Sequence, residues 1–303
     1  MNPIQVKKIK TLTGHNDSVY NITKYNHHQF FSAAGDGMVV LWDLKDPETG
    51  QLIVKVPNSV YAISYQQDRD LLVVAQNYSG VHLIDVESKK EIKSLALTEK
   101  PIYSVETTEN VILIGTGEGR LHVLDWGLNV LRSINLSPQN IRSIAVNSKQ
   151  NEVAVGSSDQ MIRILDLENF VIKHEFLAHE NSVFAVKFHD ELPVLLSTGR
   201  DAKIKVWDLD NKYSEVEKIA AHMYAVHDLA NAPSGNYFAS SSMDKTLKIW
   251  DAQRMKLLKV IDKARHGGHT SSVNKLLWME YNNWLVSCSD DRTISIWEID
   301  FGN

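Results

Sequence analysis

Cysteine is almost absent from this chain of 303 residues, since Cys288 is the only one. A single cysteine excludes intramolecular disulfides and is typical of a reducing compartment, so we expect a cytoplasmic protein. Cys288 lies between two serines in a predicted strand. There a buried, inert thiol is expected rather than a nucleophile.

Long apolar runs and blocks of like charge are also missing. No stretch approaches the roughly 18 apolar residues that a membrane-spanning helix needs. The first fifteen residues contain charges and no continuous apolar core, so we expect neither a membrane span nor a signal peptide. The net charge is −5 and there is no basic stripe, which argues against nucleic-acid binding.

What the sequence has instead is a repeat. Residues 240–251 read SSSMDKTLKIWD, and they recur as SAAGDGMVVLWD (32–43), STGRDAKIKVWD (197–208) and SCSDDRTISIWE (287–298). Weaker copies end at Asp85, Asp125 and Asp166, so that seven units follow one another in steps of 40–47 residues. Short apolar runs separated by turn residues lie between them, and no long segment keeps a helical period. This period is that of four-stranded propeller blades, and an all-β fold is predicted.

These features resemble the WD40-repeat family. The resemblance rests on Trp-Asp pairs at 42–43, 207–208 and 250–251, and on Gly-His or Ala-His pairs that stand 21 or 22 residues before the turn aspartate. It covers the whole chain and implies one domain, residues 1–303, folded as a seven-bladed β-propeller of four-stranded antiparallel blades. The blades are expected to end near Asp43, Asp85, Asp125, Asp166, Asp208, Asp251 and Glu298.

The last repeat is one strand short. Only six residues follow Trp297, whereas a blade of this family has a fourth strand after the Trp-Asp strand. Residues 4–12 look like a strand and have no blade of their own. We therefore predict that they pair in the last blade and close the ring, which would remove an exposed sheet edge.

Four repeats share a set of His, Ser, Asp and Trp, in which the serine stands ten residues before the tryptophan. A hydrolase triad would need one exposed nucleophile and an oxyanion hole. A set that recurs once per blade indicates a buried hydrogen-bonded network, so we expect a structural role and no catalytic residue. The sets are His15, Ser32, Asp36 and Trp42; His179, Ser197, Asp201 and Trp207; His222, Ser240, Asp244 and Trp250; and His269, Ser287, Asp291 and Trp297.

Repeats two to four lack this set. Their turn residues are Tyr78, Glu118 and Asp159, and their inner positions are aliphatic, so the simplest interpretation is that these blades have dry interiors. The remaining histidines, such as His82 and His122, form no close group with another His, Cys or carboxylate. We expect neither a metal site nor a cofactor.

The resemblance also implies where a partner would bind. In this family the residue after the first apolar position of each innermost strand points to one face of the disc, and the residue before the turn aspartate adds to that face. Tyr, Phe, Met and Arg are enriched in interface cores, although partial burial between blades would also explain aromatic residues. The innermost-strand positions are Tyr20, Tyr61, Tyr103, Arg142, Phe184, His227 and Asn274; the turns add Asn77, Arg200, Met243 and Asp290.

The leading hypothesis is a non-enzymatic scaffold or adaptor that holds a peptide or protein segment on this face. Arg142 and Arg200 would pair with acidic or phosphorylated groups of the partner. One alternative is a propeller enzyme, a hydrolase or lyase, with its site at the channel mouth. A less favoured one is a propeller that binds phosphate or nucleic acid, for which the cluster KARHGGH (263–269) is the basic candidate. We expect a monomeric propeller within a larger complex.

Overall fold

The computed structural model describes residues 4–302, and these form twenty-eight β-strands with little helix. The strands make seven antiparallel sheets of four strands each. Each innermost strand lies beside the innermost strands of the two neighbouring sheets, and the first lies beside the last. The sheets are therefore the blades of a closed seven-bladed propeller, and the predicted fold is confirmed.

The strands follow the chain in blade order. Blade one is β2 (Val19–Lys24), β3 (Gln29–Ala34), β4 (Met38–Asp43) and β5 (Gln51–Lys55); blade two is β6 (Val60–Gln66), β7 (Leu71–Gln76), β8 (Gly80–Asp85) and β9 (Lys90–Ala96). Blade three is β10 (Ile102–Thr107), β11 (Ile112–Thr116), β12 (Arg120–Leu124) and β13 (Val130–Asn135); blade four is β14 (Ile141–Asn147), β15 (Glu152–Ser157), β16 (Met161–Asp166) and β17 (Ile172–Leu177). Blade five is β18 (Val183–Phe188), β19 (Val194–Gly199), β20 (Lys203–Asp208) and β21 (Ser214–Ala220); blade six is β22 (Val226–Asn231), β23 (Tyr237–Ser242), β24 (Leu247–Asp251) and β25 (Lys256–Ile261). Blade seven is β26 (Val273–Trp278), β27 (Leu285–Ser289), β28 (Ile294–Asp300) and β1 (Gln5–Leu12).

Helix contributes only short connections. These are α1 (Lys263–His266) and 3-10 turns at Gln67–Arg69 and Tyr281–Asn283. Along residues 4–302, no helix has the length and apolar character required to cross a membrane.

The core lies between the blades. The second strands are buried along nearly their whole length because a neighbouring blade covers each of their faces. In β7, for example, residues 72–75 have no exposed surface. One of the inter-blade clusters joins Phe31 and Val39 of blade one to Ile63 and Ile84 of blade two. Each blade is thus stabilised by packing against its neighbours. Cys288 in β27 is fully buried as well, and burial raises the pKa of its thiol.

The ring is closed by β1. This strand pairs antiparallel with β28, from Gln5 opposite Asp300 to Leu12 opposite Ile294, with a bulge between Lys8 and Lys10. Because β1 supplies the outer strand of blade seven, the predicted ring closure by residues 4–12 is confirmed.

Blades two to four are not dry, and that interpretation is wrong. Each has a polar residue in the middle of its third strand, namely His82, His122 or Arg163, and each of these has a polar partner on a neighbouring strand. Arg163 is 6% exposed and donates to Asp159 at 2.8 Å and to Glu175 at 3.0 Å. The sequence comparison missed this because the polar group has moved from the second strand to the third. The interior hydrogen bonds are kept with different residue types.

Candidate functional site

The His, Ser, Asp and Trp of blade six form one continuous chain of hydrogen bonds. Trp250 Nε1–H donates to Ser240 Oγ at 2.9 Å, the serine hydroxyl donates to His222 Nε2 at 2.8 Å, and His222 Nδ1–H donates to Asp244 at 2.9 Å. The same connections occur in blades one, five and seven. All four serines have no exposed surface. Since both functions of the hydroxyl are in use, none of these serines is available to attack a substrate.

This chain of bonds requires a neutral imidazole. Ser240 Oγ accepts the indole N–H and donates its own proton to His222 Nε2, and a ring nitrogen that accepts this bond carries no proton. Burial lowers the pKa of His222, and likewise that of His15. Burial alone would raise the pKa of the Asp244 carboxyl, but hydrogen bonds from His222 and Thr246 outweigh it and hold the pKa well below its usual range. The pKa values of the Asp201 and Asp291 carboxyl groups are lowered in the same way, by hydrogen bonds from His179 and His269 that outweigh burial.

The protein is expected to lose stability steadily as the pH falls. A histidine whose pKa is lowered by folding stabilises the native state above its unfolded pKa of about 6.5, and that contribution is lost below it. An aspartate with a lowered pKa does the same above about 4. Both act in one direction, so the free energy of unfolding measured in urea should decrease from pH 7.5 to pH 5 and decrease further towards pH 3.5. Equal or greater stability at pH 5 would contradict this account.

Seven side chains, one from each blade, meet at one mouth of the central channel and line a cavity of about 400 Å³. We call this the bowl; its members are Tyr20, Tyr61, Tyr103, Arg142, Phe184, His227 and Asn274. Each is the extra residue of a β-bulge, because the register of every first and second strand shifts at this position. A bulge redirects a side chain out of the normal alternation, which explains why these seven leave the inter-blade core.

Members of the bowl also pack on one another. The Tyr20 and Tyr61 rings meet edge to face with centroids 4.5 Å apart, and Tyr61 stacks on Tyr103 at 5.9 Å. The Arg142 guanidinium lies between two rings, 4.4 Å from Tyr103 and 4.8 Å from Phe184. All seven side chains are half-buried. The aromatic residues therefore hold each other in place and still present a surface to solvent.

Arg142 keeps unused hydrogen-bonding capacity. Its Nε is buried and has no hydrogen-bond partner among residues 4–302. Burial lowers the pKa of this guanidinium, the neighbouring Tyr103 raises it, and the positive charge of Arg200 lowers it again. Arg200 thus adds a second positive charge to the surroundings of Arg142. A guanidinium in this setting favours an incoming anion.

The turn residues expected on the same face do not share one environment. Arg200 is exposed and the Met243 side chain is 55% exposed. Asn77, in contrast, has no exposed surface; it donates to Ser59 Oγ at 3.1 Å and accepts from the Ile102 backbone N–H at 2.8 Å. The expected partner contact at Asn77 is therefore wrong, because its amide is used to join blades two and three.

Two exposed residues of this face were missed from the sequence. Met223 and Tyr224, in the loop before β22, are 81% and 59% exposed. A signal was present: the same two loop positions in the other His-containing repeats are polar, reading Asn16-Asp17, Glu180-Asn181 and Thr270-Ser271. Only blade six places two large apolar side chains there.

The channel continues beyond the bowl as a polar cavity of about 640 Å³. Its ionisable residues include Glu106, Lys187, Asp228 and Lys275. Asp228 accepts from Lys275 Nζ at 2.8 Å and from the Leu276 backbone N–H at 2.9 Å, so both of its oxygens are in use. An enzymatic site inside the channel would have to draw on these groups.

Known proteins with similar sequences share parts of this chain. LEC14B protein of Lithospermum erythrorhizon is 31% identical over 146 residues, which are 46% of this chain and 29% of that protein. THO complex subunit 6 homolog of Danio rerio is 23% identical over 172 residues, 50% of this chain and 53% of that protein. Both alignments span less than two thirds of the relative's own length. Among solved structures, the WD40 β-propeller domain of Doa1 matches 97% of each chain with a TM-score of 0.86 at 19% identity, which shows the fold alone.

Four stretches match the family model of the WD domain, G-beta repeat (WD40): residues 6–43, 170–208, 214–251 and 259–298. They contain the four His-Ser-Asp-Trp networks and together make up just over half of the chain. Sequence match, repeat period and closed seven-bladed fold agree, and the chain belongs to the WD40 family.

Proposed function

We propose that this propeller is a non-enzymatic adaptor that binds a protein or peptide segment across the bowl. The observation that carries the proposal is the bowl itself: four aromatic rings and one arginine, half-buried and prearranged by bulges, around an open cavity of about 400 Å³. Rigid aromatic anchors and arginine supply most of the energy at protein interfaces, and a prearranged site loses little entropy on binding.

The relatives support a role in an assembly. THO complex subunit 6 homolog is by its printed name a subunit of a complex. Many unrelated roles share the propeller fold, so this support concerns the kind of function and not the partner. On this proposal the chain works as a single propeller inside a larger cytoplasmic complex.

Arg142 is the group that would select an acidic or phosphorylated partner. It is a cation with a buried, unpartnered Nε, and Arg200 stands near it. An anionic side chain in the bowl would pair with a guanidinium that is already fixed between two rings, and charge-assisted bonds of this kind are stronger than neutral ones.

The test is affinity purification from cells in which the protein is native, with wild type beside the triple variant Tyr61→Ala/Tyr103→Ala/Arg142→Ala. Loss of a reproducible set of partners by the triple variant is expected, since each hot-spot truncation weakens binding by about tenfold or more. The control is Ile92→Ser on the outer strand β9, where the side chain is 56% exposed. Thermal unfolding must show that every variant is folded. If the folded triple variant retains all partners, the proposal is wrong.

A further inference from the structure

Exposed apolar side chains are not evenly distributed over this molecule. Most of the large ones lie singly or in pairs along the outer strands, which is normal for a folded protein. Blade six is different, because Met223, Tyr224 and Met243 are 81%, 59% and 55% exposed on the face that carries the bowl. We call these three residues the blade-six anchor.

The three anchor residues stand on two segments that are hydrogen-bonded to each other. The Met243 backbone N–H donates to Ala225 O at 3.0 Å, and Ser242 Oγ donates to Tyr224 O at 3.3 Å. The Met223 backbone N–H donates to Asp244 at 3.0 Å. The loop before β22 and the β23–β24 turn are therefore joined by hydrogen bonds. The backbone under the three side chains is fixed by the blade network, while the flexible methionines can adapt to a ligand.

The anchor is also continuous with the bowl. Tyr224 precedes the bowl residue His227 by three positions in the chain. On the other side, Ala202 O in the blade-five turn accepts hydrogen bonds from the backbone N–H groups of Ala221 and His222. In the same turn, the Arg200 backbone N–H donates to Ser182 O. A segment lying across the bowl towards blades five and six would therefore reach the anchor directly.

Two cations flank the anchor. Arg200 precedes the blade-five turn aspartate and Lys245 follows that of blade six; both are exposed, and neither makes a salt bridge within residues 4–302. The two turn carboxylates point inward: the Asp201 and Asp244 side chains are 5% and 7% exposed and bonded to histidines. Glu180, in the loop before β18, is exposed, and its charge is paired with Lys203. What this sector shows to a partner is apolar surface bordered by positive charge.

We infer that the blade-six anchor binds an acidic peptide segment. One apolar side chain of the peptide packs on the anchor, and the carboxylates of the peptide face Arg200 and Lys245. The inference rests on the proposed function and adds the chemistry and position of the partner. The positive charges select acidic residues on both sides of the peptide's apolar residue. The blade-six anchor supplies apolar contact area, which charge alone does not.

The test uses peptides in place of the unknown partner. A random 12-residue phage-displayed library is selected on the intact chain, and the recovered peptides are synthesised with a fluorescent label for anisotropy titration. We expect enrichment of an apolar residue flanked by Asp or Glu. Met223→Ser/Met243→Ser and Arg200→Glu/Lys245→Glu should each weaken binding by about tenfold or more. Peptides with Lys in place of their acidic residues should regain affinity for the charge-reversed variant, a result that misfolding cannot produce.

The outcomes separate the two proposals. If Tyr61→Ala/Tyr103→Ala abolishes peptide binding and both anchor variants bind normally, the anchor inference fails and the proposed function stands. If none of the three variants changes binding, both fail. Dimers in sedimentation that dissociate on Met223→Ser/Met243→Ser would overturn the inference in favour of a second copy of the chain. Phosphatidylserine vesicles that bind wild type but not Arg200→Glu/Lys245→Glu would overturn it in favour of a membrane.

Discussion

Deletion of residues 1–12 is expected to abolish the cooperative thermal transition and to leave an aggregating chain. The deletion removes β1, exposes the whole edge of β28, and removes the strand that ties the start of the chain into the last blade. It also removes Leu12, which is 3% exposed, and the partly buried Ile9 and Val6. Each such side chain stabilises a fold by up to about 1.5–3 kcal/mol when fully buried, against a typical total of about 5–15 kcal/mol. An unpaired strand edge adds a route to aggregation.

Circular dichroism with heating and size-exclusion chromatography measure this effect. The first control is a chain lacking only residues 1–3, which lie outside the described part of the chain. The second is Lys7→Ala, because that side chain is exposed on β1 and its truncation leaves the pairing with β28 unchanged. Both controls should unfold near the wild-type temperature. A monomeric, folded chain without residues 1–12 would show that the seventh blade does not need its outer strand.

The sequence was sufficient for the fold because the fold follows from the period, and the family resemblance added which residue of each repeat lies at the channel. Equivalent positions in seven repeats must occupy equivalent places in seven blades. The location of the residue after Val19 therefore predicts the location of the residues after Ile141 and Val226. The bulge that turns these residues to the channel has no characteristic residue type in the sequence. Its position was inferred from the family resemblance.

What the sequence did not predict depends on contacts between side chains. Asn77 stands in a position that faces outward in other repeats, yet its amide is used between two blades. Arg163 restores a polar network on a strand where none was expected. Met223 lies in an entry loop, outside the positions that the family pattern assigns to the binding face. A comparison of the same loop among the repeats would have found it without any structure.

Replacement of Asp244 by alanine is expected to lower the free energy of unfolding by about 2–4 kcal/mol, since each buried donor left without an acceptor costs about 1–3 kcal/mol. Asp244 accepts from His222 Nδ1, from Thr246 Oγ1 at 2.6 Å, and from the Met223 backbone N–H at 3.0 Å. The loss reaches the interior because the orientation of His222 fixes the hydroxyl of Ser240, on which the indole N–H depends.

Equilibrium urea unfolding of three variants distinguishes the network from charge alone. Asp210→Ala makes the same chemical change at an exposed position in the turn between β20 and β21. It should change the free energy of unfolding by no more than about 0.5 kcal/mol. Asp244→Asn keeps an acceptor for His222 but removes the charge, so its stability should lie between those of wild type and Asp244→Ala. The alanine variant should also lose less stability than wild type on going from pH 5 to pH 3.5, because the carboxyl with the lowered pKa is gone. An alanine variant as stable as Asp210→Ala would mean that the four-residue network contributes nothing to the fold.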